Sequence, residues 1–232
     1  MNIAKKAVNW LFILCVPVLL VSLVIGALAN SQRLYDYAAN KYGVADSLAV
    51  SGLQLSDSEL AGIYANLIHY YNSGQEYVYI TLPRNGQQIA VLTPDEAIHF
   101  KDVKGLIHLD YGLFLGALVV CLAITGLNLF MWRDRRRLDW SLLVGGIFTL
   151  CFLAVLLAFD RFYGFEELFI RFHMIFFDNL LWTAPGNMLL LFPENLFTDA
   201  AAIGFGIIAI ISLALGGVGW WRLKVDVDDS IQ

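Results

Sequence analysis

Trp132-Arg133-Asp134-Arg135-Arg136-Arg137-Leu138-Asp139-Trp140 is the stretch from which the fold is read. On either side of it the chain runs without a charged residue for the width of a bilayer, from Tyr111 to Trp132 before it and from Trp140 to Phe159 after it. A helix needs roughly 20 predominantly apolar residues to cross the hydrocarbon core. Two spans therefore meet at a short basic turn. Val8 to Ala29 and Ala200 to Trp221 have the same uncharged, apolar character. The chain of 232 residues is 59% hydrophobic and 15% charged, against the about 25% charged residues of an ordinary soluble domain. The fold class is an α-helical integral membrane protein with four transmembrane helices.

Charge placement gives the expected orientation. Lys5 and Lys6 precede the first span, four arginines occupy the central turn, and Arg222 and Lys224 follow the last span. Short basic flanks stay in the cytoplasm, so both termini are expected inside, and the acidic segments outside. The expected division is spans at 8–29, 105–132, 140–159 and 200–221, a cytoplasmic turn at 133–139, and a cytoplasmic tail at 222–232. An extracytoplasmic domain fills 30–104, and an extracytoplasmic interfacial segment fills 160–199. The Arg133–Arg137 run reads as a topology anchor touching anionic headgroups, not as a nucleic-acid site. Cys15, Cys121 and Cys151 fall within spans as small packing residues, with no disulfide framework. Ala27-Leu28-Ala29 resembles a cleavage site, but the apolar run before it exceeds the ~7–15 residues of a cleaved signal. It reads as an uncleaved anchor. Leu14 before Cys15 is not the small residue a lipoprotein would carry.

The segment 30–104 has the signals of a small, mainly helical domain. Gln32 to Tyr42 has helical spacing of aromatics. Ser56-Asp57-Ser58-Glu59 is a capping box. It opens a helix with the apolar stripe Leu60, Ile63, Tyr64, Leu67 and Tyr71, closed by Asn72-Ser73-Gly74. Two short strands are expected at 77–80 and 89–92, with a turn at Pro83-Arg84-Asn85-Gly86. Thr93-Pro94-Asp95-Glu96 is a second capping box with proline at the first helical position. A straight helix from there would set His99 roughly 18 Å above Tyr111, unless it bends at Gly105 or Gly112 or first lies on the surface. The segment from Leu168 to Phe192 is mostly apolar but is interrupted by Arg171, Asp178, Pro185 and Gly186. It reads as interfacial or re-entrant, with Trp182 at headgroup depth.

Of the histidines, His69 and His108 read as surface or interfacial residues. His99 has Glu96 three residues before it and Asp102 three after. On a helix the three share a face, and a carboxylate beside an imidazole fixes its tautomer. The plainer reading is a solvated polar face. His173 sits among Phe172, Phe176 and Phe177, where burial would keep it neutral, as a base requires. The plainer reading there is a satisfied interfacial histidine. No His-Glu-x-x-His, cysteine pair, Gly-x-Ser-x-Gly elbow, phosphate loop or dinucleotide fingerprint occurs. Neither a metal nor a cofactor is expected.

The series Glu96-x-x-His99-x-x-Asp102-Val103-Lys104, then Phe172-His173-x-x-Phe176-Phe177-x-Asn179-x-x-Trp182, then Phe192-Pro193-Glu194 and Phe197, set among four spans, resembles the lipoprotein intramolecular transacylase (Lit) family of Gram-positive bacteria. The resemblance implies an enzyme of the bacterial cell membrane whose site faces the extracytoplasmic side. It would move the sn-2 acyl chain of a diacylglyceryl-cysteine onto the α-amine of the same cysteine, giving lyso-form lipoprotein. His99 and His173 would transfer protons, with Asp102 or Glu96 orienting His99. Asn179 or a backbone amide would stabilise the oxyanion. Trp182, Phe172, Phe176 and Phe177 would hold acyl chains, with Arg171 also on the substrate side. Its partners would be diacylglyceryl-modified lipoproteins and membrane lipids, with no nucleic acid. Two other functions fit the composition: a non-enzymatic membrane sensor or assembly factor, and a lipid hydrolase using the same histidines.

Overall fold

The computed structural model describes residues 3–229 and the side chains of residues 3–225; the end of the expected tail at 222–232 lies outside them. Among the described residues four helices are long and apolar enough to cross a membrane: Ile3–Ala29, Pro94–Met131, Arg135–Tyr163 and Glu194–Val225. In chain order the elements are α1 (Ile3–Ala29), α2 (Gln32–Lys41), α3 (Val44–Val50), α4 (Asp57–Tyr71), β1 (Thr81–Arg84), β2 (Gln87–Ala90), α5 (Pro94–Gly126), a π turn (Leu127–Met131), α6 (Arg135–Tyr163), α7 (Phe165–Phe176), a 3₁₀ turn (Leu181–Thr183), α8 (Met188–Leu191) and α9 (Glu194–Asp229). The long helices outrun the charge-free windows because their first turns lie in polar sequence. Helix α5 runs unbroken through Gly105 and Gly112.

The chain divides into two compact units. One comprises the residues up to Gly26, Asp110–Phe162 and those from Ile203 onward. Its core is formed by Phe12, Ile13, Val16 and Leu20 of α1, Ala117, Cys121 and Ile124 of α5, Leu138 and Leu153 of α6, and Ile208 of α9. Chain reversal after α5 uses the π turn. There Asn128 is 1% exposed, its Nδ2 donates to the Ile124 carbonyl at 2.9 Å, and its carbonyl accepts from Asp134 N at 2.8 Å. Arg133 then takes a left-handed conformation, φ +50°. Small residues let the helices approach closely, which is how helices associate where lipid removes the hydrophobic drive. A Cβ at Gly146 of α6 would lie 2.6 Å from the Ser212 carbonyl and 3.1 Å from Gly216 N, both on α9.

The other unit comprises Ala27–Leu109 and Tyr163–Ala202. Ser56 and Glu59 form the capping box that starts α4. The apolar stripe of that helix is buried at Leu60, Ile63, Tyr64, Leu67 and Tyr71. Tyr64 stacks on Tyr35 of α2 at 5.3 Å, both rings meet the edge of Phe192, and the Tyr64 hydroxyl donates to the Leu191 carbonyl at 2.9 Å. Lys104 is buried. Its ammonium fastens the turn that follows α4 by donating to the Ser73 and Gln75 carbonyls while lying 4.4 Å from the Tyr70 ring centre.

The hairpin differs from the expected strands at 77–80 and 89–92. The paired residues are Thr81↔Ala90, Leu82↔Ile89, Pro83↔Gln88 and Arg84↔Gln87. Asn85 and Gly86 both have positive φ, +51° and +80°, the two-residue turn whose twist matches a hairpin. The ladder therefore closes directly at Arg84 and Gln87. Pro83 is tolerated because each strand of a two-stranded sheet is an edge. Residues 77–80 serve the core instead: Val78 and Ile80 are buried while Tyr79 is 82% exposed.

The close approach of α6 to α9 gives the first prediction. Gly146→Leu forces the two helices apart and is expected to cost about 1–3 kcal/mol, the usual penalty of overpacking. A lowered thermal unfolding midpoint of the detergent-solubilised protein would check it.

Candidate active site

The first turn of α5 places one wall of the site. Thr93 Oγ1 accepts from Glu96 N at 3.3 Å, and Glu96 Oε2 accepts from Thr93 N at 2.7 Å. This closes the capping box that Pro94 and the helix dipole favour. Glu96 is completely buried. Its other oxygen, Oε1, accepts from the backbone N–H of Met188. Gly186 packs so tightly on this carboxylate that a Cβ there would overlap it, and Asn187 Nδ2 donates to the Val91 carbonyl at 2.7 Å. Two turns along the same face of α5, Asp102 Oδ2 accepts from Asn179 Nδ2 at 2.9 Å, and Asn179 Oδ1 accepts from Leu181 N at 3.0 Å.

Residues 179–188 are thus a strap fastened to α5 at both ends, one turn before and one turn after His99. The expected hydrogen bond from Glu96 or Asp102 to His99 is not made, because both carboxylates are used to hold the strap. His99 Nδ1 is buried without a hydrogen-bond partner. Asp102 still acts on His99 through its charge.

Helix α7 supplies the other imidazole. His173 Nδ1 lies 2.7 Å from the Phe169 carbonyl. A carbonyl only accepts, so Nδ1 carries the proton and Nε2 holds the lone pair. The His173 ring lies 6.1 Å from the His99 ring at an interplanar angle of 27°. It lies 4.7 Å from the Trp182 ring at 34°. Phe169, at 4.1 Å, and Phe177, at 5.3 Å, crowd its remaining sides. His99 and His173 are 6% and 7% exposed. Burial pushes the pKa of His99 down to about 4; the neighbouring His173 pushes the same way, and Asp102 opposes. Burial also lowers His173, against the pull of the Phe169 carbonyl. Both rings are therefore neutral near pH 7, and a proton on one disfavours a proton on the other.

Beside Glu96, Asp102 and Asn179, which fasten the strap, the expected site residues fall into three groups. His99, His173, Trp182 and Phe177 converge. Phe172 and Phe176 form an exposed apolar margin: Phe172 meets His173 edge-on at 5.5 Å and packs against Phe176 at 4.8 Å. Met174 and Ile175 extend that exposed surface. Arg171 stands away from the imidazoles, exposed and paired with Glu167 at 2.7 Å. Asp178 is also exposed. His108 bonds the Tyr71 carbonyl through Nε2 at 2.8 Å. Sequence reasoning missed Phe169, whose signal was its position four residues before His173 on a helix. It also missed Gly186 as a point of close approach. Among the described residues no group of three or more His, Cys, Asp or Glu side chains converges to hold a metal.

Fold and site together define a helical membrane protein with two buried imidazoles beside exposed apolar surface. A family model described as lipoprotein intramolecular transacylase Lit matches residues 10–197, and the chain belongs to that family. Solved structures of the membrane-integral Lit from Bacillus cereus share the fold. One is 18% identical with a TM-score of 0.75, covering 99% of this chain and 99% of that chain. A variant of it with one histidine replaced by arginine is 18% identical with a TM-score of 0.76, covering 97% and 95%. A variant with a histidine replaced by alanine gives 18% and 0.75, covering 96% and 95%. No curated protein matches the chain.

The buried imidazoles make stability depend on pH. Between about 6.5, the ordinary histidine value, and about 4, the value of folded His99, the unfolded chain binds more protons than the folded one. Stability is therefore lost as pH falls through this range, and the lowered His173 acts in the same direction. Thermal midpoints of the solubilised protein should drop from pH 7 to pH 4, with a shallower drop in His99→Gln.

Proposed function

We propose that this protein moves the sn-2 acyl chain of a diacylglyceryl-modified lipoprotein onto the α-amine of the same N-terminal cysteine. The product is an N-acyl, S-monoacylglyceryl lipoprotein, and the site faces the extracytoplasmic side. Family membership supports a lipoprotein substrate. The observation that carries the reading is the pair of buried, neutral imidazoles, one with its tautomer fixed so that Nε2 is free to accept a proton. None of the contacts described above brings a hydroxyl or thiol to either ring, which suits a reaction whose nucleophile belongs to the substrate. The exposed Phe172, Met174, Ile175 and Phe176 offer acyl chains an apolar surface. The basic flanks of the spans support the orientation.

The chemistry balances with one shuttled proton. The α-amino pKa is about 7.7–8.0, so roughly a tenth is neutral near pH 7. The neutral nitrogen attacks the ester carbonyl; the C–N bond forms and the π pair moves to oxygen. His173 Nε2 takes a proton from that nitrogen. The C–O bond to glycerol then breaks, and the glycerol oxygen receives a proton from the imidazolium. His99 faces the same space. Because each ring's charge disfavours the other's, the pair holds a single proton at a time. Keeping amine and ester together supplies much of the rate.

The test is expression in a bacterium whose lipoproteins stop at the diacylglyceryl form with a free amine. Fragment-ion spectra of an N-terminal lipopeptide should show an acyl group on nitrogen, lost in both His99→Ala and His173→Ala. An acyl group lost with the amine still free would replace the transacylase with a hydrolase. An unchanged lipopeptide, with folded protein in the membrane, would favour a sensor or assembly factor.

A further inference from the structure

The transfer reaction passes through a tetrahedral oxyanion, and the strap carries a donor for it. We propose that the indole N–H of Trp182 is the hydrogen-bond donor that stabilises this oxyanion, an inference that rests on the transacylase reading. Trp182 Nε1 is buried and has no hydrogen-bond partner. A buried unpaired donor is costly and rare in native structures. This one sits on the ring centred 4.7 Å from that of His173, beside the imidazole with a free Nε2. The other unpartnered buried nitrogen of the site is His99 Nδ1, which belongs to a ring that can exchange protons.

Asn179 is the rival donor, and its amide is already committed. Nδ2 donates to Asp102 and Oδ1 accepts from Leu181 N. Turning it towards substrate would strip Asp102 of a partner and release the 3₁₀ turn that carries Trp182. The indole N–H has no such duty. It donates and never accepts, and it keeps its proton throughout the reaction.

Its role in the step is electrostatic. As the substrate nitrogen bonds to the ester carbon and the π pair collects on oxygen, the N–H bonds to that oxygen. It is released from the oxyanion when the carbonyl re-forms and the glycerol C–O bond breaks. In a buried site such a bond is stronger to an oxyanion than to a neutral carbonyl, so the gain falls on the transition state. The fold holds this donor ready: the Asp102–Asn179 bond and the Glu96–Met188 bond fix the strap on both sides of Trp182.

The experiment replaces the N–H and little else. Full-length purified protein is made with Trp182→Phe, and separately with the sulfur isostere of tryptophan, β-(3-benzothienyl)alanine, at position 182. Each is assayed on a synthetic diacylglyceryl lipopeptide. Loss of one oxyanion donor should lower kcat about 10²–10³-fold in both variants, with KM unchanged. The isostere should keep the native thermal midpoint. Full kcat in the isostere would overturn the proposal and leave Trp182 a packing residue, as would a loss confined to KM. If His173→Ala is inactive while the isostere is fully active, the transacylase reading stands and only the oxyanion assignment falls. No N-acyl product from the native protein would remove both.

Discussion

The site depends on one buried carboxylate doing two jobs. Glu96 completes the capping box of α5 with one oxygen and fastens Met188 with the other. A buried charge is costly unless its hydrogen bonds are made. Here the named donors are backbone N–H groups at a helix N-terminus, where the dipole favours negative charge. The same residue therefore decides where α5 begins, which way its next turn faces, and where the strap comes to rest. His99 follows three residues later, and Asp102 repeats the device on the far side by holding Asn179. Only with the strap in place does Trp182 lie against His173.

Burial and charge are balanced differently at the two imidazoles. His173 satisfies one nitrogen with the carbonyl of the preceding helical turn and is walled by aromatic rings, so its tautomer is fixed locally. His99 has no such partner on Nδ1. It feels Asp102 only as a charge that partly offsets desolvation. One ring is structurally committed and the other electrostatically adjustable.

The spans could be read from the sequence because the bilayer sets a length that composition must meet. The Glu96–His99–Asp102 face was legible because i, i+3 spacing on a helix has one geometric meaning. What those carboxylates touch was not legible. Their partners, Met188 and Asn179, lie 92 and 77 residues away, and no local pattern reports a contact of that range. Spacing favoured the nearest base, His99, and the fold used the carboxylates on the backbone and amide of the strap instead. The strands shifted for a local reason: Asn85-Gly86 is a stronger turn signal than the proline before it. Arg171 shares an apolar segment with His173 but sits two residues away, on a different face of α7, and pairs with Glu167.

Because Glu96 serves both the cap and the strap, fraying of the first turn of α5 weakens the hold on residues 186–188. Helix ends are ordinarily the first parts of a fold to open, each at its own low free energy. Here the opening of a helix end also loosens the strap that covers the paired imidazoles. The amides of Thr93 and Met188, far apart in sequence, are protected from solvent exchange by one and the same carboxylate.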